Sequence, residues 1–196
     1  MQHHRIGLFA FMAMVVLLFG CTHVLKTTDI PTLQAGSPLK SVGSKTIAFK
    51  EFNDIRGGND PLVVMVAKPH KFMVDQPPAT LVAMELRKEL ERNGHTCITY
   101  TPQAKADFIV EGTVYKFSVS QRPPVFIGNV FIGNVGVKLT VSRAPADSKV
   151  LIKSYQGEGR AKSATYSGWR PALTQANQAM IKEISTDTEL VDFLQK

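Results

Sequence analysis

The sequence predicts an α+β fold, a mainly antiparallel sheet with two main helices packed on one face, a βαβ-type start and a β-meander. Two short strand patterns, an amphipathic helix and a third strand pattern follow one another between residues 45 and 100. Long alternating stretches, separated by turn residues, then fill most of residues 106–163, and a second helical pattern closes the chain. A run of strands with segregated helices is typical of α+β domains.

The clearest helix pattern spans Pro77 to Asn93, where Pro78 suits a first helical turn and Gly94 suits a left-handed C-terminal cap. Its apolar stripe has three- to four-residue spacing and consists of Ala79, Val82, Ala83, Leu86 and Leu90. The strand pattern "HTCITY" follows at once. This order predicts a crossover that returns the chain to a shared sheet.

The segment "ADFIVEGTVYKFSVS" predicts a long strand that changes faces midway, which requires a bulge that we place at Gly112. "VGVKLTVSR" and "KVLIKSYQGEGRAKS" predict an antiparallel pair. The second helix is predicted over Pro171–Ser185. Thr186 with Glu189 then fits the capping box of a short terminal helix.

The N-terminus resembles a bacterial lipoprotein signal. Arg5 precedes an uncharged run of 15 residues, Ile6–Gly20, which is shorter than the roughly 20 that a membrane span needs. The run ends in "LFGC", similar to a lipobox, although Phe19 is larger than the residue usual there. The resemblance implies cleavage between Gly20 and Cys21 and lipidation of Cys21. The alternative is a signal anchor or ordinary signal with a chance cysteine.

Three segments are therefore expected: a signal peptide at 1–20, a lipidated cysteine with a flexible tether at 21–43, and a single periplasmic α+β domain at 44–196. The tether prediction rests on two prolines, two glycines and no periodicity in residues 22–43. In enterobacterial-type sorting, Asp after the cysteine retains a lipoprotein in the inner membrane. Thr22 therefore indicates the outer membrane, facing the periplasm.

The chain is basic, with a formal net charge of +7 that falls to +6 without Arg5. Such a charge suits contact with anionic lipid, lipopolysaccharide or peptidoglycan, or serves solubility alone. Nucleic acid is not an expected partner, because no basic run carries interleaved aromatic residues. With Cys21 lipidated, Cys97 is the only thiol left, and we expect it in a buried strand without a disulfide.

No catalytic, cofactor-binding or metal-binding motif is found. A Gly-x-Ser-x-Gly elbow is missing, and His23, His70 and His95 have no metal-ligand spacing. Asp54 and Asp60 lack the spacing of a calcium loop and indicate a turn. We therefore expect a protein that is not an enzyme and carries no cofactor or metal.

The tandem repeat "FIGNVFIGNV" has a period of five, which places equivalent side chains on opposite faces of a strand. One interpretation is an irregular strand whose apolar residues reach the core. The other is a mobile docking loop that presents Phe126, Ile127, Phe131 and Ile132 to a partner. Trp169 is either an interface anchor or a residue that packs the helix entry.

The chain resembles the YajG-type family of bacterial lipoproteins at "LRKELERNGHTCI", "ADFIVEGTVYKFSVS" and "ANQAMIKEISTDTELVDFLQK". Members have no assigned biochemical function, so the resemblance implies no catalytic residues. More loosely, the layout is similar to auxiliary lipoproteins of envelope assembly and transport complexes. The first hypothesis is a non-enzymatic binding or adaptor domain, held at the membrane by acyl chains, with an envelope protein or glycan as partner. The alternatives are a carrier of a small lipid, glycan or peptide, and a cell-wall hydrolase.

Overall fold

The computed structural model describes residues 21–26, 37–58, 60–122, 128–144 and 147–196, and it confirms the α+β class. Nine strands occur in these ranges: β1 Thr22–Leu25, β2 Thr46–Phe49, β3 Asn53–Asp54, β4 Val63–Ala67, β5 His70–Val74, β6 Thr96–Thr99, β7 Phe108–Arg122, β8 Asn129–Arg143 and β9 Asp147–Ser163. The α-helices are α1 Pro78–Arg92, α2 Trp169–Thr186 and α3 Thr188–Gln195, and short 3₁₀ helices span Pro38–Val42 and Tyr166–Gly168.

The strands form two sheets. The larger has the order β6-β2-β7-β8-β9, with β3 paired to β7, and its long strands β7, β8 and β9 are antiparallel. β6 returns parallel to β2 after α1, so a parallel crossover is present, but it starts from β2 and not from the strand that directly precedes the helix in the prediction. The strand "LVVMVAK" does not share this sheet, because β4 pairs instead with β5 in a second sheet of order β1-β5-β4.

The face change in β7 occurs three residues later than expected. The register with β8 shifts between Val114 and Lys116, so the bulge does not lie at Gly112. Gly112 is fully paired, and a Cβ there would overlap the ring of Phe52. The glycine is therefore needed for close side-chain packing, and the prediction of a bulge at that residue was wrong.

Helix α2 lies directly on the backbone of β8 and β9. Gly133, Gly157 and Gly159 face it, and a Cβ on any of them would overlap the helix backbone at Ala172, Ala176 or their neighbours. Because the two glycines of "GEG" have no side chains, the helix backbone can pack directly against the sheet there. The buried side of the helix carries Ala172, Leu173, Ala176, Met180 and Ile184, each at most 1% exposed.

The predicted tether is corrected at both of its ends. β1 pairs in parallel with β5 directly after Cys21, and Leu25 is 2% exposed. The 3₁₀ helix at Pro38–Val42 buries Leu39 completely, and the Ser37 hydroxyl donates to the Ser185 carbonyl at 2.8 Å. Both segments have apolar side chains that reach the core. The tether was predicted from the prolines and glycines, and their number carries no information about these buried side chains. Residues 27–36 lie outside the described ranges.

The capping box was placed one residue too early. Thr186 still belongs to α2, and its hydroxyl donates to the Lys182 carbonyl. Asp187 is the N-cap of α3, since its carboxylate accepts from the backbone N–H groups of Glu189 and Leu190. A carboxylate satisfies these free amides as well as a threonine hydroxyl does.

Candidate functional site

Cys21, the predicted lipidation point, is exposed and lies at the very start of β1. Its carbonyl accepts a hydrogen bond from the backbone N–H of Lys71 at 3.1 Å, so the cysteine is already fixed to strand β5. Gly20, on the other side of the predicted cleavage point, lies outside the described residues. The geometry therefore puts the candidate anchor on a folded sheet, with no spacer between the two.

Strand β1 is held to the body of the protein by hydrogen bonds to its main-chain carbonyls. The guanidinium of Arg170, in the first turn of α2, donates to the Val24 carbonyl at 2.8 Å. At the far end of the strand, the backbone N–H of Asp75 donates to the Leu25 carbonyl at 3.1 Å. Contacts from α2 and β5 thus fix the orientation of the segment that follows Cys21.

An aromatic cluster lies beneath β1 and holds the small sheet against α2; we define it as His23, His70, Phe72, Tyr166 and Trp169. His23 stacks on Phe72 with ring centroids 4.9 Å apart, and Trp169 meets the same ring edge-on at 5.5 Å. Tyr166 packs on His70 at 4.8 Å. Trp169 is 1% exposed, so the interface-anchor interpretation is corrected, and the residue packs the helix entry instead.

The structure brings together two histidines that the sequence leaves 47 residues apart. Nε2 of His23 lies 3.4 Å from Nδ1 of His70, so one ring can donate to the other. Two imidazoles do not complete a metal site, and in the described part of the chain no third His, Cys, Asp or Glu joins them. Only strand pairing creates this contact, so no motif search could have found it.

The second copy of the repeat is a buried strand. Phe131 and Ile132 lie in β8 and are 0% and 6% exposed. Phe131 is on the side that faces α2, where its ring is near Tyr166, and Ile132 points to the opposite face. The docking interpretation is thereby corrected for these two residues, and the irregular-strand interpretation holds for them. Phe126 and Ile127 lie outside the described residues.

The remaining reactive or charged residues that we singled out are held in structural roles. Burial raises the pKa of the Cys97 thiol to about 12, so the thiol stays protonated and is a poor nucleophile. Asp54 forms an ion pair with Arg56 at 2.7 Å. Asp60 accepts from the Leu62 backbone N–H at 3.0 Å, which is the turn that the sequence indicated.

The space between the large sheet and the helices is filled. A void between Ile47, Leu86, Leu139 and Ile184 encloses about 20 Å³ of space open to a water molecule. That volume admits one water and no acyl chain or sugar. A groove of about 610 Å³ between β2, β3 and α1 is open to solvent, and Lys50, Glu51 and Arg87 are among its lining residues.

Comparisons with known proteins show the fold alone. Neither a family model nor a curated protein sequence matches the chain, so the YajG-type assignment stays a prediction. The structure is similar to protein XCC0632 from Xanthomonas campestris, of family-model DUF330, with a TM-score of 0.60 and 12% identity over 88% of this chain and 97% of that one. Lipoprotein GNA1162 from Neisseria meningitidis matches at a TM-score of 0.38 and 9% identity, over 62% and 86% of the two chains. Hypothetical protein CT253 from Chlamydia trachomatis matches at a TM-score of 0.44 and 11% identity, over 78% of this chain and 96% of that one.

Within the described ranges, none of the helices has the length and hydrophobicity that crossing a membrane requires.

Proposed function

We propose that this chain is a lipoprotein of the bacterial envelope, anchored by acyl chains on Cys21 and facing the periplasm from the outer membrane. Its domain acts as a non-enzymatic binding or adaptor module. The observation that carries this proposal is the position of Cys21, which ends the apolar run of the signal and begins the first strand with an exposed side chain. Several acyl chains on one residue give the stable anchoring that a single chain does not.

The filled sheet–helix layer favours the adaptor over the carrier. A carrier of a lipid, glycan or peptide in that layer needs a cavity of several hundred Å³. The void there has room for about one water. Binding to a partner therefore has to use the outer surface of the domain, which is what an adaptor does.

The anchor is tested by fractionating cells that express the full chain or its Cys21→Ser variant. The native protein is expected in the membrane fraction. The variant is expected to keep its signal and to show the higher mass of the precursor, because the thioether must form before this type of signal is cleaved. Cys97→Ser is the matched control, since its half-buried thiol plays no part in anchoring. Normal processing of Cys21→Ser would contradict the proposal.

The outer-membrane assignment is tested at the next residue. In a host with enterobacterial-type sorting, Thr22→Asp should move the protein from the outer-membrane to the inner-membrane fraction of a density gradient, whereas Thr22→Ser should not. Thr22 is exposed at the start of β1, so neither change disturbs the core. Native protein that sediments with the inner membrane would contradict the outer-membrane location and leave the lipid anchor intact.

A further inference from the structure

The three-stranded sheet β1-β5-β4, here called the anchor sheet, leaves one face open. Thr22, Lys71 and Val66 form a row across its three strands, and Val24 and Met73 lie in the next row. Val66 is 58% exposed and Val24 is 40% exposed, which makes them two of the five large hydrophobic side chains that are exposed in the described residues. Isolated exposed valines are ordinary, but these two lie on the outer strands with the half-buried Met73 of β5 between them, so the open face carries three apolar side chains.

The opposite face of the anchor sheet packs on the protein core. Leu25, Met65, Phe72 and Val74 lie there, and all four are buried. Arg170 and the aromatic cluster hold the strands in this orientation. The open face is therefore on the outside of the molecule, and at its β4 edge Val66 borders an open groove whose other side is formed by Val119, Ser120 and Asn129 of the large sheet.

The open face begins where the lipid anchor is attached. Thr22 pairs with Lys71 and Ala67 pairs with His70, so Cys21 lies at the end of the sheet where β4 turns into β5. Val66 is two strand spacings from Thr22, or about 10 Å, and Val24 is three residues along β1 from Cys21, also about 10 Å. Acyl chains on Cys21 would hold this face close to the bilayer because no flexible spacer separates them.

The charge of this surface is basic. Lys71 lies at the centre of the first row and Lys68 lies in the turn beside Cys21, and both are exposed. At the other end of the sheet, Lys26 follows β1 and Asp75 follows β5, so one positive and one negative charge lie side by side there and the positive charge is concentrated near Cys21. Lysines among exposed apolar side chains suit a lipid head-group layer, where the methylenes lie in the interface and the ammonium groups reach phosphates.

We propose that the open face of the anchor sheet lies on the head groups of the bilayer that holds the acyl chains, with anionic phospholipid as its partner. The inference rests on the proposed lipidation of Cys21. It adds a fixed orientation: the domain lies against the membrane on this face, next to the Asn129 end of β8, and presents the other end of the large sheet, where Val150 and Ile152 of β9 are exposed, to the periplasm.

The test uses the acylated full-length protein, purified from membranes and reconstituted into vesicles of phosphatidylethanolamine and phosphatidylglycerol with brominated acyl chains. In a Cys97→Ser background, an environment-sensitive fluorophore is placed at Val66→Cys or at the matched control Val150→Cys. Both native valines are exposed on strands, at 58% and 51%. Cys21 does not react with the dye, because its thiol is in the thioether.

We expect lipid bromine to quench the probe at position 66 and to leave the probe at position 150 unquenched. Lys71→Glu should lower the ratio of membrane-docked to undocked domain by about fivefold or more, since each lysine near an anionic surface contributes about that factor. Lys138→Glu, at an exposed site on the large sheet, should change nothing. Replacing phosphatidylglycerol by phosphatidylcholine should weaken the quenching at position 66.

Four results would overturn the proposal, each separately. Equal quenching at positions 66 and 150 would mean that the domain has no fixed orientation. Unchanged quenching in phosphatidylcholine would exclude anionic lipid as the partner. Mass spectrometry of the same sample reports whether the protein is acylated. A protein without acyl chains would refute the proposed function itself. An acylated protein with an unquenched probe at position 66 would refute only the orientation.

Discussion

Gly133 and Gly159 are paired directly across β8 and β9, and the carbonyl of Ala172 lies where a Cβ on either glycine would be. This contact fixes the height of α2 above the large sheet. The first turn of the same helix carries Trp169 and Arg170, which hold the anchor sheet. The glycine pair therefore determines, through one helix, where the strand after Cys21 lies.

Gly159→Ala is expected to destabilise the domain by about 1–3 kcal/mol, the usual cost of forcing extra volume into a packed interface. The added methyl would overlap the backbone of α2 at Ala172 and Ala176. Glu158→Ala, on the exposed side of the same strand, is the control and should change stability by under about 0.5 kcal/mol. Urea unfolding followed by circular dichroism measures both, and equal stabilities would mean that the helix is not seated on the glycines.

Phe131→Ala is expected to lower the free energy of unfolding by about 3–5 kcal/mol, because the Phe131 ring is completely buried and lies near Tyr166 of the aromatic cluster. Ile152→Ala, at a side chain that is 56% exposed on β9, should cost far less. Thermal melts of the two variants provide the measurement. If the Phe131→Ala protein has the same melting temperature as the wild type, Phe131 is not a core residue, and the docking interpretation of the repeat would be favoured.

His95 is expected to make the domain sensitive to mild acid. It is 4% exposed, and neither ring nitrogen makes a hydrogen bond within the described part of the chain. Burial lowers the pKa of His95 below its usual 6.5, and the positive charge of Lys45 lowers it further. The backbone of Leu39, which is close to the ring but does not meet the geometric criteria for a hydrogen bond, raises the pKa and offsets part of this shift.

Because the unfolded chain takes up the proton of His95 first, stability is complete above about pH 6.5 and falls as the pH drops toward the depressed folded value. His95→Gln should remove most of this loss. Denaturant unfolding between about pH 7.5 and about pH 5 is the measurement. Parallel pH profiles for the two proteins would contradict the role of His95.

Asp187 governs a separate response at lower pH. Its carboxylate accepts from the Tyr155 hydroxyl at 2.8 Å and pairs with Lys153 at 2.6 Å while capping α3. Burial alone would raise the pKa of Asp187, but the hydrogen bonds from Lys153, Tyr155 and the backbone outweigh burial and lower it. Its stabilisation is therefore present above about pH 3.8 and is lost as the pH falls through the depressed value.

Asp187→Asn should cost about 1–2 kcal/mol at neutral pH, since hydrogen bonds to a charged acceptor are stronger than neutral ones. The difference from wild type should shrink below about pH 4. Glu189→Gln is the matched control: this carboxylate also pairs with Lys153 but is 67% exposed, so its loss should have little effect. A constant difference between Asp187→Asn and wild type at all pH values would exclude the carboxylate charge as the cause.

The sequence predicts the periodic parts of this fold better than its short segments. α1 begins and ends within one residue of its predicted bounds, because five apolar residues share one stripe. β1 was missed because the prolines and glycines of residues 22–43 predicted a tether, and β5 was missed because its sequence, "HKFMV", has no clear alternation of polar and apolar residues. The His23–His70 contact and the row of Thr22, Lys71 and Val66 exist only through strand pairing, so no spacing in the sequence encodes them.

We propose that Cys21 carries the membrane anchor and is the first residue of the mature chain. Intact-mass and peptide mass spectrometry of the protein purified from its native membrane tests this most directly. We expect an N-terminal Cys21 with a diacylglycerol thioether and an acylated amine, and no peptide from residues 1–20. An unmodified N-terminus at another residue, or a retained apolar segment before Cys21, would contradict it.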